Sequence, residues 1–134
     1  MMKIIDEQLL NDVSAKAKES PRLRMNYNFH QSLDDLCHRF LNAVEPGTVV
    51  PVHHHVTKDE TFILLKGKVK VLTYNDEGEV EEEVILSCEE GRYGVDIPKN
   101  TWHTIEPLES SIIFEVKQGP FVEHEVDGIL TVKG

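Results

Sequence analysis

Cysteine is scarce in this chain: Cys37 and Cys88 are the only two among 134 residues. That count excludes a disulfide-stapled scaffold, and the start, Met1-Met2-Lys3-Ile4-Ile5-Asp6, lacks the apolar core of a secretory leader. The expectation is a cytoplasmic protein with two reduced, part-buried thiols. Cys37 precedes His38, but neighbours on a strand leave opposite faces, so the two do not form a nucleophile–base couple. Long apolar runs are also missing; none approaches the ~20 residues that a membrane span requires. Positive charge is short as well, with 14 basic against 24 acidic residues and a net charge of -10. Such a chain repels a nucleic-acid backbone unless a local basic patch exists, and the sequence shows none. Solenoid repeats and low-complexity linkers are absent, and the length allows one domain, residues 1–134. What is present in excess is histidine, seven in all.

Residues 6–19 read as a helix: Leu9, Leu10, Val13 and Ala17 recur near helical spacing, acids come early, lysines come late, and Pro21 stops it. Leu23 to His30 alternates, with Leu23, Met25, Tyr27 and Phe29 on one face and Arg22, Arg24, Asn26, Asn28 and His30 on the other. Ser32 to Phe40 fits a helical turn, while His38 to Val44 also reads as a strand. From Val44 onward the signals are all β: an extended Val49–Val56, then Thr61–Leu65, Lys68–Tyr74, Val80–Leu86, Val95–Ile97 and Ser111–Lys117, punctuated by Gly and Pro. About eight short strands mean a sandwich or small barrel. The partition is a helix and strand over 1–32, a β-barrel core over 38–118 and a tail over 119–134, which pairs as an extra strand or frays.

The chemistry concentrates between Gly47 and Gly67. His53 and His55 lie two apart on an extended segment, so their rings leave one face, while His54 points away. Val56 to Asp59 is long enough to turn and return Glu60 on the neighbouring strand. Two imidazoles and a carboxylate then converge, a donor set suited to a divalent first-row ion. Pro98 to His103 supplies a fourth ligand, His103, beyond a tight loop in which Asn100 tolerates the left-handed conformation. The polar face of the first strand offers Asn26 and Asn28 as substrate-binding amides and His30 as a proton-transfer group, if it lines the barrel mouth. Arg22 and Arg24 are read as surface basics, with contact to an anionic substrate such as a nucleotide sugar as the alternative. Tyr27, Phe29, Phe62, Phe114 and Trp102 are assigned to the core, and Glu115 and Lys117, which share a face, to a surface pair, with lumen groups near the metal as the alternative. Glutamates 81–83 form a solvated edge. His38 and His124 receive no partner.

Gly47, five residues, His53-x-His55, four residues, Glu60, six residues, Gly67 resembles the first motif of the cupin superfamily at every fixed position. The second motif is met in part: Pro98 and His103 stand at their usual separation, Asn100 and Pro107 replace a glycine and an asparagine, and Gly91 lies one residue too far upstream. Asn26-x-Asn28-x-His30, Pro46-Gly47-Thr48, Trp102-His103-Thr104 and Phe114-Glu115-Val116-Lys117-x-Gly119-Pro120 are similar to the WbuC family of cupin-fold metalloproteins, over residues 3–121. The resemblance implies an all-β double-stranded β-helix, the cupin jelly roll, with a short N-terminal helix, and a homodimer. It also implies one divalent transition metal (Zn, Ni, Fe, Mn or Co) and work in surface-polysaccharide (O-antigen) biosynthesis. The corresponding activity is Lewis-acid chemistry on a carbohydrate or nucleotide sugar, isomerase- or epimerase-like. An iron-dependent dioxygenase, a non-catalytic small-molecule sensor and a closed structural metal site are the alternatives.

Overall fold

A computed structural model describes residues 1–120; the expectations for residues 121–134, including the pairing of that tail and the place of His124, lie outside the described residues. Helix α1 (Glu7–Glu19) begins where the Asp6 side chain accepts a hydrogen bond from the Leu9 amide at 3.0 Å, and Lys16 and Lys18 occupy its last turn. Eight strands follow: β1 (Arg24–Asn28), β2 (Cys37–Val44), β3 (Glu60–Lys66), β4 (Lys68–Tyr74), β5 (Val80–Ser87), β6 (Gly94–Ile97), β7 (Trp102–Pro107) and β8 (Ser111–Gln118). Two antiparallel sheets form, one in the order β1-β2-β8-β3-β6 and one in the order β5-β4-β7.

Period-two alternation decides which residues fill the space between the sheets. Val44, Phe62, Leu64, Val69, Val71, Leu86, Ile97, Ile105 and Ile113 pack there as one buried cluster. The opposite face of the larger sheet presents Leu41, Ala43 and Ile112, and α1 covers them with Val13 and Ala17. Each such aliphatic side chain stabilises by about 1.5–3 kcal/mol on burial. Met25, Tyr27, Phe29 and Phe114 extend this layer, with Phe29 edge-on to Tyr27 and Phe114 at 5.4 and 6.1 Å between ring centroids. The apolar face of β1 therefore lies under the helix, and its polar face turns toward the barrel mouth.

Four sequence expectations are corrected. Residues 49–56 are extended but form no ladder: Pro51 lacks an N–H, and the backbone pairing of the segment with β7 is an isolated bridge between His53 and His103. Cys37 and Cys88 are exposed rather than part-buried. Trp102 is only half-buried; it points away from His103 and stacks on His54, with ring centroids 3.6 Å apart. Glu115 and Lys117 are no surface pair, because β8 runs between β2 and β3 and faces them inward. The ambiguous stretch around Cys37 resolves as β2, and glutamates 81–83 are exposed as expected.

Four backbone positions with positive φ shape the site and its surroundings. Gly47 (φ +97) turns the chain after β2, and Gly67 (φ +90) joins β3 to β4 so closely that a Cβ there would lie 2.2 Å from Ser111 Oγ. Asn100 (φ 64) takes the left-handed conformation, and its amide donates to the His55 carbonyl at 2.8 Å. That hydrogen bond ties together the two loops that carry histidines. Leu23 (φ 57) adopts the same region at a cost of about 1–2 kcal/mol and sets the start of β1.

Candidate metal centre

His53, His55, Glu60 and His103 each aim one ligand atom at a common point, all four within 4.8 Å of one another. Three different local devices bring them there. His53 is held by reciprocal backbone hydrogen bonds with His103, at 3.1 and 2.8 Å. His55 follows at the same parity and is fixed by the Asn100 amide. Glu60 opens β3 in register with Lys117 on β8 and Ile97 on β6.

The imidazole tautomers are set from outside the cluster. His53 Nδ1 lies 2.9 Å from the Pro51 carbonyl and His103 Nδ1 lies 2.8 Å from the Thr101 carbonyl. A carbonyl only accepts, so each Nδ1 carries the proton and each Nε2 presents a bare lone pair to the centre. Glu60 Oε2 stands 3.2 Å from His55 Nε2 and 3.7 Å from His103 Nε2. Both that oxygen and His103 Nε2 are buried without a hydrogen-bond partner of normal geometry among the described residues. Orphaned buried lone pairs are costly unless something else satisfies them. Three nitrogens and one carboxylate oxygen fit a divalent first-row ion, so these four residues are the set that would hold it.

Electrostatics point the same way. Burial, with His103 beside it, lowers His53 to about 4. Burial likewise lowers His103, against the pull of Glu60. Burial pushes Glu60 up, but the adjacent His55 and His103 outweigh it and hold the carboxyl at about 2. At neutral pH His53 and His103 are therefore neutral and Glu60 is anionic, which is the protonation state that binds a cation.

The four ligands lie in the wall of a cavity of about 600 Å³ between the sheets, a size suited to a small-molecule site. Phe40, Phe62, Val50 and Ile105 supply apolar wall, and Asn26, Asn42, Glu115, Arg22, Arg24 and Lys117 supply polar groups. Glu115 is buried and accepts from Asn42 Nδ2 at 3.3 Å; burial and the nearby Glu60 push its carboxyl up to about 8. Lys117 Nζ sits 5.7 Å from the centroid of the Phe40 ring.

Of the sequence candidates, the structure brings together all four candidate metal ligands and places Asn26 in the same wall. Asn28 is exposed, next to Phe40 in the register, and is not part of that wall. His30 lies beyond the end of β1, buried, with its ring stacked on His38 at 4.3 Å and its Nδ1 accepting from the Arg39 amide at 3.1 Å. His38 thus has a partner, and its Nε2 also donates to the Leu33 carbonyl at 3.1 Å. Sequence reasoning missed Asn42 and favoured a surface place for Glu115, with a lumen position near the metal only as the alternative. A lone acid inside Ile112-Ile113-Phe114-Glu115-Val116, at the parity of Ile113, was the available signal for Glu115.

A family model described as "Domain of unknown function (DUF6016)" matches residues 5–86. No curated protein sequence matches the chain. Among solved structures it is similar to the capsular polysaccharide assembling protein CapF from Staphylococcus aureus, with a TM-score of 0.60, 21% identity, and coverage of 79% of this chain and 29% of CapF. The chain thus spans less than a third of CapF. KdgF from Halomonas sp. matches with a TM-score of 0.59, 18% identity and coverage of 78% and 86%. A cupin superfamily protein, DSY2733 from Desulfitobacterium hafniense DCB-2, matches with a TM-score of 0.57, 14% identity and coverage of 71% and 76%. At these identities the likeness establishes the fold, a cupin jelly roll.

Proposed function

The chain belongs to the DUF6016 family and has the cupin fold, and from that premise we propose a metal-dependent enzyme that acts on a sugar or nucleotide sugar, isomerase- or epimerase-like, in surface-polysaccharide metabolism. The observation that carries this reading is the convergence of His53, His55, Glu60 and His103 on one wall of a cavity that also holds a buried carboxyl, Glu115. Two likenesses support the substrate class: the WbuC-like residues of the sequence, and the fold shared with a capsular polysaccharide assembling protein. A homodimer in the cytoplasm accompanies the WbuC likeness; among the described residues no helix is long and apolar enough to cross a membrane.

The chain's own residues divide the work by position. His53, His55, Glu60 and His103 would hold the ion, which when bound supplies Lewis acidity toward a substrate carbonyl or hydroxyl. The Pro51 and Thr101 carbonyls keep the His53 and His103 rings oriented. Asn26 and Asn42 offer amide donors and acceptors to hydroxyls of a sugar. Phe40 and Phe62 exclude water from the floor and give the ring an apolar face. The proton-transfer role expected for His30 passes in this proposal to Glu115, whose carboxyl shares the cavity with the candidate ligands and can hold or release a proton there.

The test is a thermal-shift panel of sugars and nucleotide sugars on metal-loaded protein, followed by NMR of each binder for conversion. Conversion of a binder by the wild type and loss of conversion but not of binding in Glu115→Gln is the expected result. A tight binder that is never converted overturns the catalytic reading and leaves a metal-dependent binding module.

A further inference from the structure

The chain carries a net charge of -10, yet the cavity wall includes three cations: Arg22 and Arg24 at the start of β1, and Lys117 on β8 in register with Glu60. Among the described residues none of the three forms an ion pair; the pairs present are Lys70–Glu83 and those of Glu60 with His55 and His103. Lys117 has the carboxylates of Glu60 and Glu115 near it in the same wall, whereas the two arginines have no carboxylate at ion-pair distance among the described residues.

The two arginines are also held in place. Arg24 Nη1 donates to the Val49 carbonyl at 2.6 Å, and the Arg22 carbonyl accepts from Thr48 Oγ1 at 2.6 Å. Both contacts tie the start of β1 to the loop that runs on to His53. Leu23, between the arginines, sits at φ 57, a strained conformation for a leucine, of the kind that persists where surrounding structure enforces it. Both arginines line the same cavity. Burial, and then the charge of Arg22, lower Arg24 from its ordinary value, which is the signature of two like charges kept close. Among the described contacts, the Val49 carbonyl engages one of the five guanidinium donors of Arg24, and the fork geometry suits two oxygens of an anion.

We infer that the end of the cavity at the start of β1 is an anion subsite, in which Arg22 and Arg24 hold a carboxylate or phosphate of the substrate while the metal ligands serve its other end. The inference rests on reading the cavity as a substrate site and names the substrate class: a sugar acid or a sugar phosphate (nucleotide-linked or not) rather than a neutral sugar. With a divalent ion in place, the cations outweigh the two wall carboxylates, Glu60 and Glu115, in every protonation state, so the field draws an anion in.

The experiment is calorimetric titration of glucuronate, glucose 1-phosphate and glucose into the full chain, both metal-loaded and chelator-treated. Glucuronate or glucose 1-phosphate binds at concentrations where glucose does not, and the tighter of the two identifies the anion. Loss of one charge-assisted contact weakens binding roughly tenfold, so Arg22→Gln/Arg24→Gln lowers affinity for the anions by about a hundredfold and leaves the metal content unchanged. Arg24→Gln alone is the second variant, expected to weaken anion binding about tenfold should the double variant fail to fold. Equal response to all three probes, including no response to any, overturns the subsite, as does full anion affinity in folded variants. Metal content is measured on the same samples: a wild type without metal defeats the metal-centre reading, while the anion preference of the chelator-treated protein still decides the subsite.

Discussion

Acid should dislodge the metal from this site much later than from an ordinary histidine cluster. The perturbation is pH, and the magnitude follows from the buried imidazoles. An imidazole titrating near 6.5 is about 90% protonated at pH 5.5, so proton competition there lowers metal affinity about tenfold per ligand. His53 is lowered to about 4 by burial and by His103, and it is only about 3% protonated at that pH. His103 is lowered as well, chiefly by burial. The sign is that of a depressed imidazole: it stays neutral and ligating until pH falls through its own low value. Three ordinary imidazoles would cost about a thousandfold in affinity per pH unit below 6. Here His53 contributes almost nothing between pH 7 and 5 and His103 contributes less than an ordinary imidazole, so the loss stays well below a thousandfold per unit. Competition against a fluorescent zinc chelator in buffers from pH 4 to 8 measures this directly. A thousandfold loss per unit beginning near pH 6.5 would refute the claim that these rings are buried and desolvated.

Three further outcomes test the frame around the site. Glu115 has a raised folded value of about 8, so its contribution to stability is present at low pH and is lost as pH rises through 8. Glu115→Gln should therefore make the chelator-treated protein more stable than wild type at pH 8 and leave it little changed at pH 4, and urea denaturation at the two pH values reads this. Gly67→Ala places a methyl 2.2 Å from Ser111 Oγ and 2.4 Å from the Ser110 carbonyl, at a left-handed φ, and should cost more than about 2 kcal/mol in the same assay. Leu41→Ala empties a fully buried position beneath α1 and should cost about 2–5 kcal/mol, with the helix signal in circular dichroism lost in the same transition as the sheets.

The parts legible in the sequence were those set by short-range rules. The ligands on 53, 55 and 60 follow from strand parity and one turn, and Asn100 follows from the backbone geometry its loop demands. The polar face of β1 read correctly as far as Asn26. His30 escaped that rule because β1 ends at Asn28, the chain bends, and parity no longer says where a side chain goes. Glu115 and Lys117 were misread because their inward direction depends on β8 lying between β2 and β3, partners about 75 and 55 residues away in sequence. Pro51 was the clue that residues 49–56 would stay extended without joining a sheet, and the β-branched run around it masked that clue. Arg22 and Arg24 were visible as residues, but their lack of carboxylate partners is a property of the folded surface.

The central claim is that His53, His55, Glu60 and His103 hold one divalent ion. Elemental analysis of untagged protein, wild type beside His55→Ala, tests it most directly. The account predicts about one transition-metal ion per chain in the wild type and loss of that ion in a variant that still folds, since a three-ligand remnant leaves the buried Glu60 oxygen without a complete site. Full occupancy in His55→Ala, or a wild type that retains no metal and takes none up on dialysis, contradicts it.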